Sequence, residues 1–541
     1  MKRMLFLWFT FVVAGMLGAQ TSPTVLVLRG GTLVDVASGR EISDSIIVIR
    51  GERIERIGSG NTVIPEGAQI VDANGKWIIP GLIDSHAHAE NPDETPFSLY
   101  LANGVTTIRN PGGNITVLRL TRDRLLRGEL IGPRLFFSGP LLDGIPPVWP
   151  DMSLLVDTPQ RARSAVNFLA DQGVDFVKVY NNVKEPELKA IIETAKERGL
   201  PVAGHIPRSM TMTHAVELGM TRLEHIRVTG REMLSPDEAD KIDPLPLGRR
   251  EPLLWQQFDL QSEKMHALVQ RLARSKIFLD PTLVIAKETE VPNLDADKKD
   301  PNNQYLSPKV VERYVNLKSP IYELPAELQA TGLEAFHKQE KFVEMCNRAG
   351  VKIIAGTDGP GIGSLLPGFG LHRELELLVE SGLSPLQALR AASLTAAEAL
   401  GKDDRLGSVE PGKFADMVVL DADPLQEIQN LRKIQLVVQG GKTYAPDALL
   451  QQARSLANRE PRTEVDLCQV QLDSAKRPHC RRTKRRSLLY SVLTRRPDFE
   501  AVVMTTQFRD FKNLTDDDVL SLLKQLKELR LLDAPAEPTS K

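Results

Sequence analysis

Short apolar runs that end in polar or turn residues recur between Leu82 and Asp358, separated by stretches whose apolar positions fall at helical spacing. The runs predict strands at Leu82 to His88, Val105 to Asn110, Arg134 to Gly139, Phe176 to Tyr180, Val202 to Ile206, Arg222 to Ile226, Ile277 to Thr282 and Val351 to Asp358. Such alternation over about 320 residues predicts eight βα units closed into a (β/α)8 TIM-like barrel. A doubly wound open sheet is the runner-up for the same pattern. In either fold, residues at the carboxyl ends of the strands face the active side.

The flanks read differently. Strand-like runs at Val25 to Leu28, Ile46 to Ile49 and Arg53 to Ile57 are punctuated by Gly30-Gly31 and Gly51-Glu52, and similar runs return at Ala415 to Asp421 and Ile434 to Val438. A small composite β-sandwich drawn from both flanks would bury them. The expected division is residues 24–80 and 401–447 for the sandwich and 81–400 for the barrel. Two long segments, about Thr229 to Phe258 and Lys287 to Gln339, are rich in Pro, Asp, Glu and Lys. They read as lids or substrate walls, or as peripheral decoration or a dimer contact.

The ends add a leader and an extension. Met1-Lys2-Arg3, an apolar run from Met4 to Leu17 and then Gly18-Ala19 resemble a secretory signal over residues 1–19 cut after Ala19, with an uncleaved anchor as the alternative. The expectation is an exported, periplasmic or secreted protein with no other membrane contact. Residues 451–541 form a C-terminal helical extension. It contains the basic run Lys476 to Arg486 and a helical pattern after Thr515 that resembles the last helix of c-type cytochrome domains. The Cys-x-x-Cys-His that attaches heme is absent, so no heme is assigned. Of three cysteines, Cys468 and Cys480 could pair in an oxidising compartment or stay free, and Cys346 stands apart.

With 42% hydrophobic and 26% charged residues, the chain has an ordinary globular composition, and a net charge of −2 gives no global pull toward nucleic acid. A homo-oligomer is compatible with this balance. The chemistry is local. His86 and His88 are two apart at the end of the first strand, so both imidazoles would project from one face and meet one cation. Lys178, His205, His225 and Asp358 end the fourth, fifth, sixth and eighth strands, so four of the nine histidines fall at strand ends. Neutral imidazoles and carboxylates suit Zn²⁺ and related ions. Lys178 in Val177-Lys178-Val179 would be costly to bury alone. It either reaches the mouth or an acid, or forms a carbamate with CO₂ that bridges two metals.

These stretches resemble the amidohydrolase superfamily, in its imidazolonepropionase-like group of metal-dependent prolidases and Xaa-basic dipeptidases. The likeness spans roughly residues 24–447 and rests on PGLIDSHAH, GVTTIRN, FVKVY, PVAGHI, RLEHI, AGTDG and GSVEPGKFADMVVLDADP. It implies two divalent metals, Zn²⁺ the expected ion. His86 and His88 would bind the more buried metal, His205 and His225 the more exposed one, and carbamylated Lys178 would bridge them. Asp358 would ligate the buried metal and act as general base while a metal-bridging hydroxide attacks the scissile carbonyl. The implied activity is hydrolysis of C–N amide bonds in a short peptide, Xaa-Pro or Xaa-basic, or of a cyclic amide, carbamate, ester or lactone. A binding or scaffold protein of the same fold is the remote alternative.

Tyr180 shares the inward face of Lys178 and could donate to a substrate oxyanion, or be a core tyrosine. Arg208 and Arg227 follow metal-type histidines and could clamp a substrate carboxylate, or sit on the surface. Asn110 stands where many relatives carry Asp, which implies a difference outside the ligand set. His372 and Glu374 begin a helix and read as packing or capping residues rather than catalytic ones.

Overall fold

The computed structural model describes residues 25–88, 96–226, 230–245, 247–322, 326–361 and 363–458. The leader, Arg227, Cys468, Cys480, the basic run and the helical pattern after Thr515 lie outside the described residues.

All eight expected barrel strands form, with short cores: Leu82–Asp84, Val105–Asn110, Arg134–Phe137, Val177–Val179, Val202–Gly204, Arg222–Glu224, Phe278–Asp280 and Lys352–Ile353. Neighbours pair in parallel within a three-stranded and a seven-stranded sheet. Backbone hydrogen bonds close the two seams. Asp175 N–H donates to Phe137 O (2.9 Å) between the third and fourth strands, and Ser85 N–H donates to Ala355 O (2.8 Å) between the eighth and first. The ring is therefore closed, as the alternation of strand and helix predicts.

The connection after the third strand carries two strands that the apolar pattern does not reveal. Leu141–Asp143 pairs with both Ser153–Leu155 and Val177–Val179. This excursion lays a Pro-rich loop over the end of the fourth strand.

The flanks share one eight-stranded sheet, in which Met417–Leu420 from the carboxyl side pairs antiparallel with Trp77–Pro80 from the amino side. The long strand Val25–Asp35 shifts register around Gly31, so its first half pairs with Gln69–Asp72 and its second with Trp77–Pro80. That bulge bends the sheet over itself and makes a sandwich of a single sheet. Leu26, Leu28, Ile47, Ile49, Ile54, Met417 and Val419 fill its core.

The two long insertions fold as helices that pack on each other. Trp255 of Leu247–Gln257 meets Phe342 of Gln329–Ala349 at 5.8 Å between rings, and Lys338 Nζ donates to the Trp255 and Phe258 carbonyls at the end of the first helix. The second insertion reaches the loop that follows Asp358, where Ser364 bonds Glu288. No described helix is long and apolar enough to cross a membrane.

Candidate metal centre

The side chains at the strand ends converge. His86 Nε2 and His88 Nε2 each lie 3.1 Å from Asp358 Oδ1, and His225 Nε2 lies 3.8 Å from Asp358 Oδ2. His86 and His225 rings are 4.9 Å apart, and His225 and His205 rings 4.8 Å apart. His86, His205 and Lys178 are buried, whereas the side chains of His88 and Asp358 keep 28% and 23% exposure and so face the opening. One ligand atom from each of His86, His225 and Asp358 falls within 4.8 Å of the others, a span that one cation can bridge.

The far side of two of the rings is hydrogen-bonded, and that of a third faces two carboxylates. His205 Nδ1 meets Asn181 Oδ1 at 2.8 Å, and His225 Nδ1 meets Thr282 Oγ1 at 2.7 Å. His86 Nδ1 lies 3.7 Å from both Glu224 Oε2 and Asp280 Oδ2. A partner on one ring nitrogen fixes the orientation of the other, which is how proteins prepare imidazoles for a metal. Protonation points the same way. Burial pulls His86 well below the usual histidine range, toward the neutral ligand form. Burial opposes ionisation of Asp358, but the His86 and His225 rings and hydrogen bonds from His86 and His88 hold its carboxyl well below the usual range.

Backbone strain concentrates here. His225, Thr282 and Asp358 are three of five non-glycine residues with positive φ among those described, at +63°, +46° and +56°. Each such conformation costs on the order of 1–3 kcal/mol and persists where surrounding structure enforces it. The enforcement is visible: His225 N–H donates to Asp280 O (2.8 Å) and Asp358 N–H to His86 O (2.7 Å). Asp84 accepts from His86 N–H and from Thr357 N–H and Oγ1, lacing the first strand to the eighth. Gly356 permits their close approach, since a Cβ there would sit 2.5 Å from His86 Cβ and from Asp280 Oδ2.

A buried ionic layer lies beneath the donors. Lys178 Nζ contacts Glu224 Oε2, so the buried amine does have an acid partner. Arg109 donates to Glu224 Oε1 (2.8 Å) and to Ser85 O (2.5 Å) and covers the Phe176 ring at 4.9 Å. Asp280 is fully buried, and desolvation pushes its carboxyl well above the ordinary value. Sequence reasoning missed Glu224, Asp280 and Arg109. Glu224 adjoins His225 in RLEHI, and Asp280 ends the seventh strand, the position that carries a candidate ligand on five of the other strands.

The remaining candidates divide. Tyr180 lies against the His205 ring at 4.2 Å, inside the constellation, and its hydroxyl accepts from Trp149 Nε1 at 2.9 Å. Arg208 is half-buried and its N–H donates to Asn181 O (2.8 Å); burial raises the nearby Asp143 carboxyl above its ordinary value, with Arg208 opposing the shift only weakly. Asn110 is buried at the end of the second strand and accepts from Gly112 N–H (3.1 Å), outside the donor set. His372 Nε2–H donates to Asn103 O (3.1 Å), and Glu374 accepts from Leu283 and Val284 N–H at 3.0 and 2.7 Å, capping the helix that follows Thr282. Packing and capping are thus what both do.

The donor chemistry fits divalent ions: four imidazoles, a carboxylate favoured in its ionised form, and second partners that orient the His205 and His225 rings. Comparison with known proteins agrees with this fold. The chain is 24% identical over 412 residues to an adenine deaminase of Paracoccus denitrificans, matching 74% of this chain and 55% of that enzyme, so it spans about half the length of that curated relative. A Bifidobacterium longum protein assigned as a prolidase superposes with a TM-score of 0.57 at 26% identity, covering 80% of this chain and 99% of that one. The bottromycin amidohydrolase superposes with a TM-score of 0.66 at 20% identity, covering 82% of this chain and 92% of that one. The amidohydrolase family profile matches residues 77–444, from the strand Trp77–Pro80 of the composite sheet to that sheet's last strand, and the chain belongs to that family.

Proposed function

We propose that the protein is an exported, metal-dependent hydrolase of C–N amide bonds that acts on short peptides of the Xaa-Pro or Xaa-basic class. The observation that carries this reading is the meeting of the His86, His88 and His225 imidazoles on the Asp358 carboxylate. In it, His86, His88 and Asp358 would hold one divalent ion and His205 and His225 a second, with carbamylated Lys178 as a ligand the two would share. Zn²⁺ is the ion this donor set favours. Bound ions of this kind acidify water and polarise a carbonyl.

The chain's own groups do the rest. Asp358 Oδ1 takes the proton from the attacking water and returns it to the leaving nitrogen. Its ionised state at neutral pH suits the first step. The Tyr180 hydroxyl donates to the oxygen that becomes negative as the carbonyl is attacked. Arg208, with Arg227, binds the carboxylate end of the peptide. Carbamylation would join Lys178 to CO₂ with release of two protons from its ammonium form, one that must first leave the ammonium nitrogen and one on forming the carbamate, and would remove a cation from beside the metals. The buried position of Lys178 and its contact with Glu224, a carboxylate able to take one of these protons, support the step.

The test combines metal analysis with a substrate panel on the mature protein reconstituted with Zn²⁺ or Mn²⁺ and ¹³C-bicarbonate. The expected result is bound divalent metal, a carbamate carbon resonance lost in Lys178→Ala, and release of free amino acids from Xaa-Pro or Xaa-Arg dipeptides. Ammonia from adenine, or turnover confined to cyclic amides, carbamates or lactones, would overturn the peptide assignment. A protein that neither holds metal nor gains activity would overturn the hydrolase reading itself.

A further inference from the structure

We propose that Trp149 is a positioning residue for Tyr180, holding its hydroxyl as a hydrogen-bond donor directed at the reacting oxygen; this rests on the hydrolase reading above. The indole comes from the connection after the third barrel strand, which is fastened to the residues just beyond Tyr180. The Asp143 carboxylate accepts from Gly144 N–H (2.9 Å), Val148 N–H (2.8 Å) and Asn182 N–H (2.8 Å). Asn182 Nδ2 donates to Pro146 O at 2.6 Å. A Cβ on Gly144 would lie 1.9 Å from Asn182 O, so only glycine lets the two segments close on each other. These bonds define where the loop stands, and its last residue sets the indole N–H 2.9 Å from the Tyr180 oxygen.

The chemistry of that one bond gives it a role. An indole N–H can only donate, so the phenol oxygen must accept from it and its own proton must point elsewhere. A phenol that already accepts is also polarised into a stronger donor. The Tyr180 ring rests on His205, one of the four converging imidazoles, so the ring is fixed from its face and the hydroxyl from its rim. Trp149 keeps 41% of its surface exposed, an arrangement that core packing alone does not account for but that suits the wall of an open site.

Trp149→Phe keeps an aromatic ring and deletes the donor. The expected result on the best dipeptide substrate is a fall in kcat of about tenfold, a fraction of the 10²–10³ typical for loss of an oxyanion donor, with KM within about twofold. Tyr180→Phe should cost more, and the double variant should be no slower than Tyr180→Phe alone. A direct readout uses selective ¹⁵N-tryptophan labelling: the indole N–H signal that disappears in Trp149→Phe should move upfield and exchange faster with water in Tyr180→Phe. Unchanged kcat in a folded Trp149→Phe, additive losses in the double variant, or an indole signal indifferent to Tyr180→Phe would each overturn the proposal. Wild-type protein inert on the whole panel would instead refute the hydrolase reading, a distinct result because no variant is then being compared.

Discussion

The barrel mouth and the composite sheet bury residues under opposite rules. In the sheet, strands from the two ends of the chain meet over Leu28, Ile47, Ile49, Met417 and Val419, all fully buried, and side-chain alternation alone tells each residue which way to face. At the mouth, the same burial is given to Arg109, Lys178, Glu224 and Asp280, and the backbone is forced into positive φ at His225, Thr282 and Asp358. Burying charge without a complete set of partners destabilises, and so does left-handed backbone at a β-branched threonine. The sheet therefore reads as the stabilising region and the mouth as the region whose cost is offset elsewhere, as expected where geometry serves chemistry.

Substitutions can break this contrast. The largest effect is expected at Asp358→Asn, which keeps the side-chain shape but removes the base; amide hydrolysis should fall about 10²–10⁴-fold, while the midpoint of chemical denaturation holds or rises. A lower midpoint would make Asp358 a structural residue. Conversely, Ile47→Ala should lower unfolding free energy by roughly 2–5 kcal/mol and leave kcat per folded molecule unchanged.

Smaller changes sharpen the contrast within the mouth itself. Thr282→Val removes the hydroxyl 2.7 Å from His225 Nδ1, and metal affinity measured by chelator competition should weaken about 10–100-fold. Thr282→Ser should restore most of it. His372 offers a gentler probe, since it is buried, lies off the donor set, and is held down at about 3 by desolvation. A histidine neutral when folded and basic when unfolded contributes stability that is fully present above about pH 6.5 and lost as pH falls toward 3. The loss should approach roughly 1.4 kcal/mol per pH unit in that window. His372→Gln should flatten that limb in urea titrations between pH 4 and 7, and an unchanged slope would show that other groups set it.

What was legible along the chain follows from locality. Each barrel strand announces itself by a short apolar run, and five candidate ligands sit on or just past the ends of those runs, so His86, His88, His205, His225 and Asp358 could be named without knowing their neighbours. Glu224 and Asp280 could not. A carboxylate at a strand end looks the same whether it meets water or a buried Arg109, and only the closed ring decides. Trp149 was hidden for a second reason: Gly144-Ile145-Pro146-Pro147 reads as a loop, and nothing in it reveals that Asp143 gathers three amides to hold the indole over Tyr180.

Periodicity and spacing by themselves determined the alternation of strands and helices, the strand-rich flanks and the set of side chains available to bind a cation, because a strand's alternation is fixed by its backbone; that the strands close into a ring was left to the tertiary structure. Only the tertiary structure decided that Lys178 meets Glu224, that Thr282 orients His225 and that Trp149 holds Tyr180. Those pairings join residues tens of positions apart, and closing a barrel is what brings them within bonding distance.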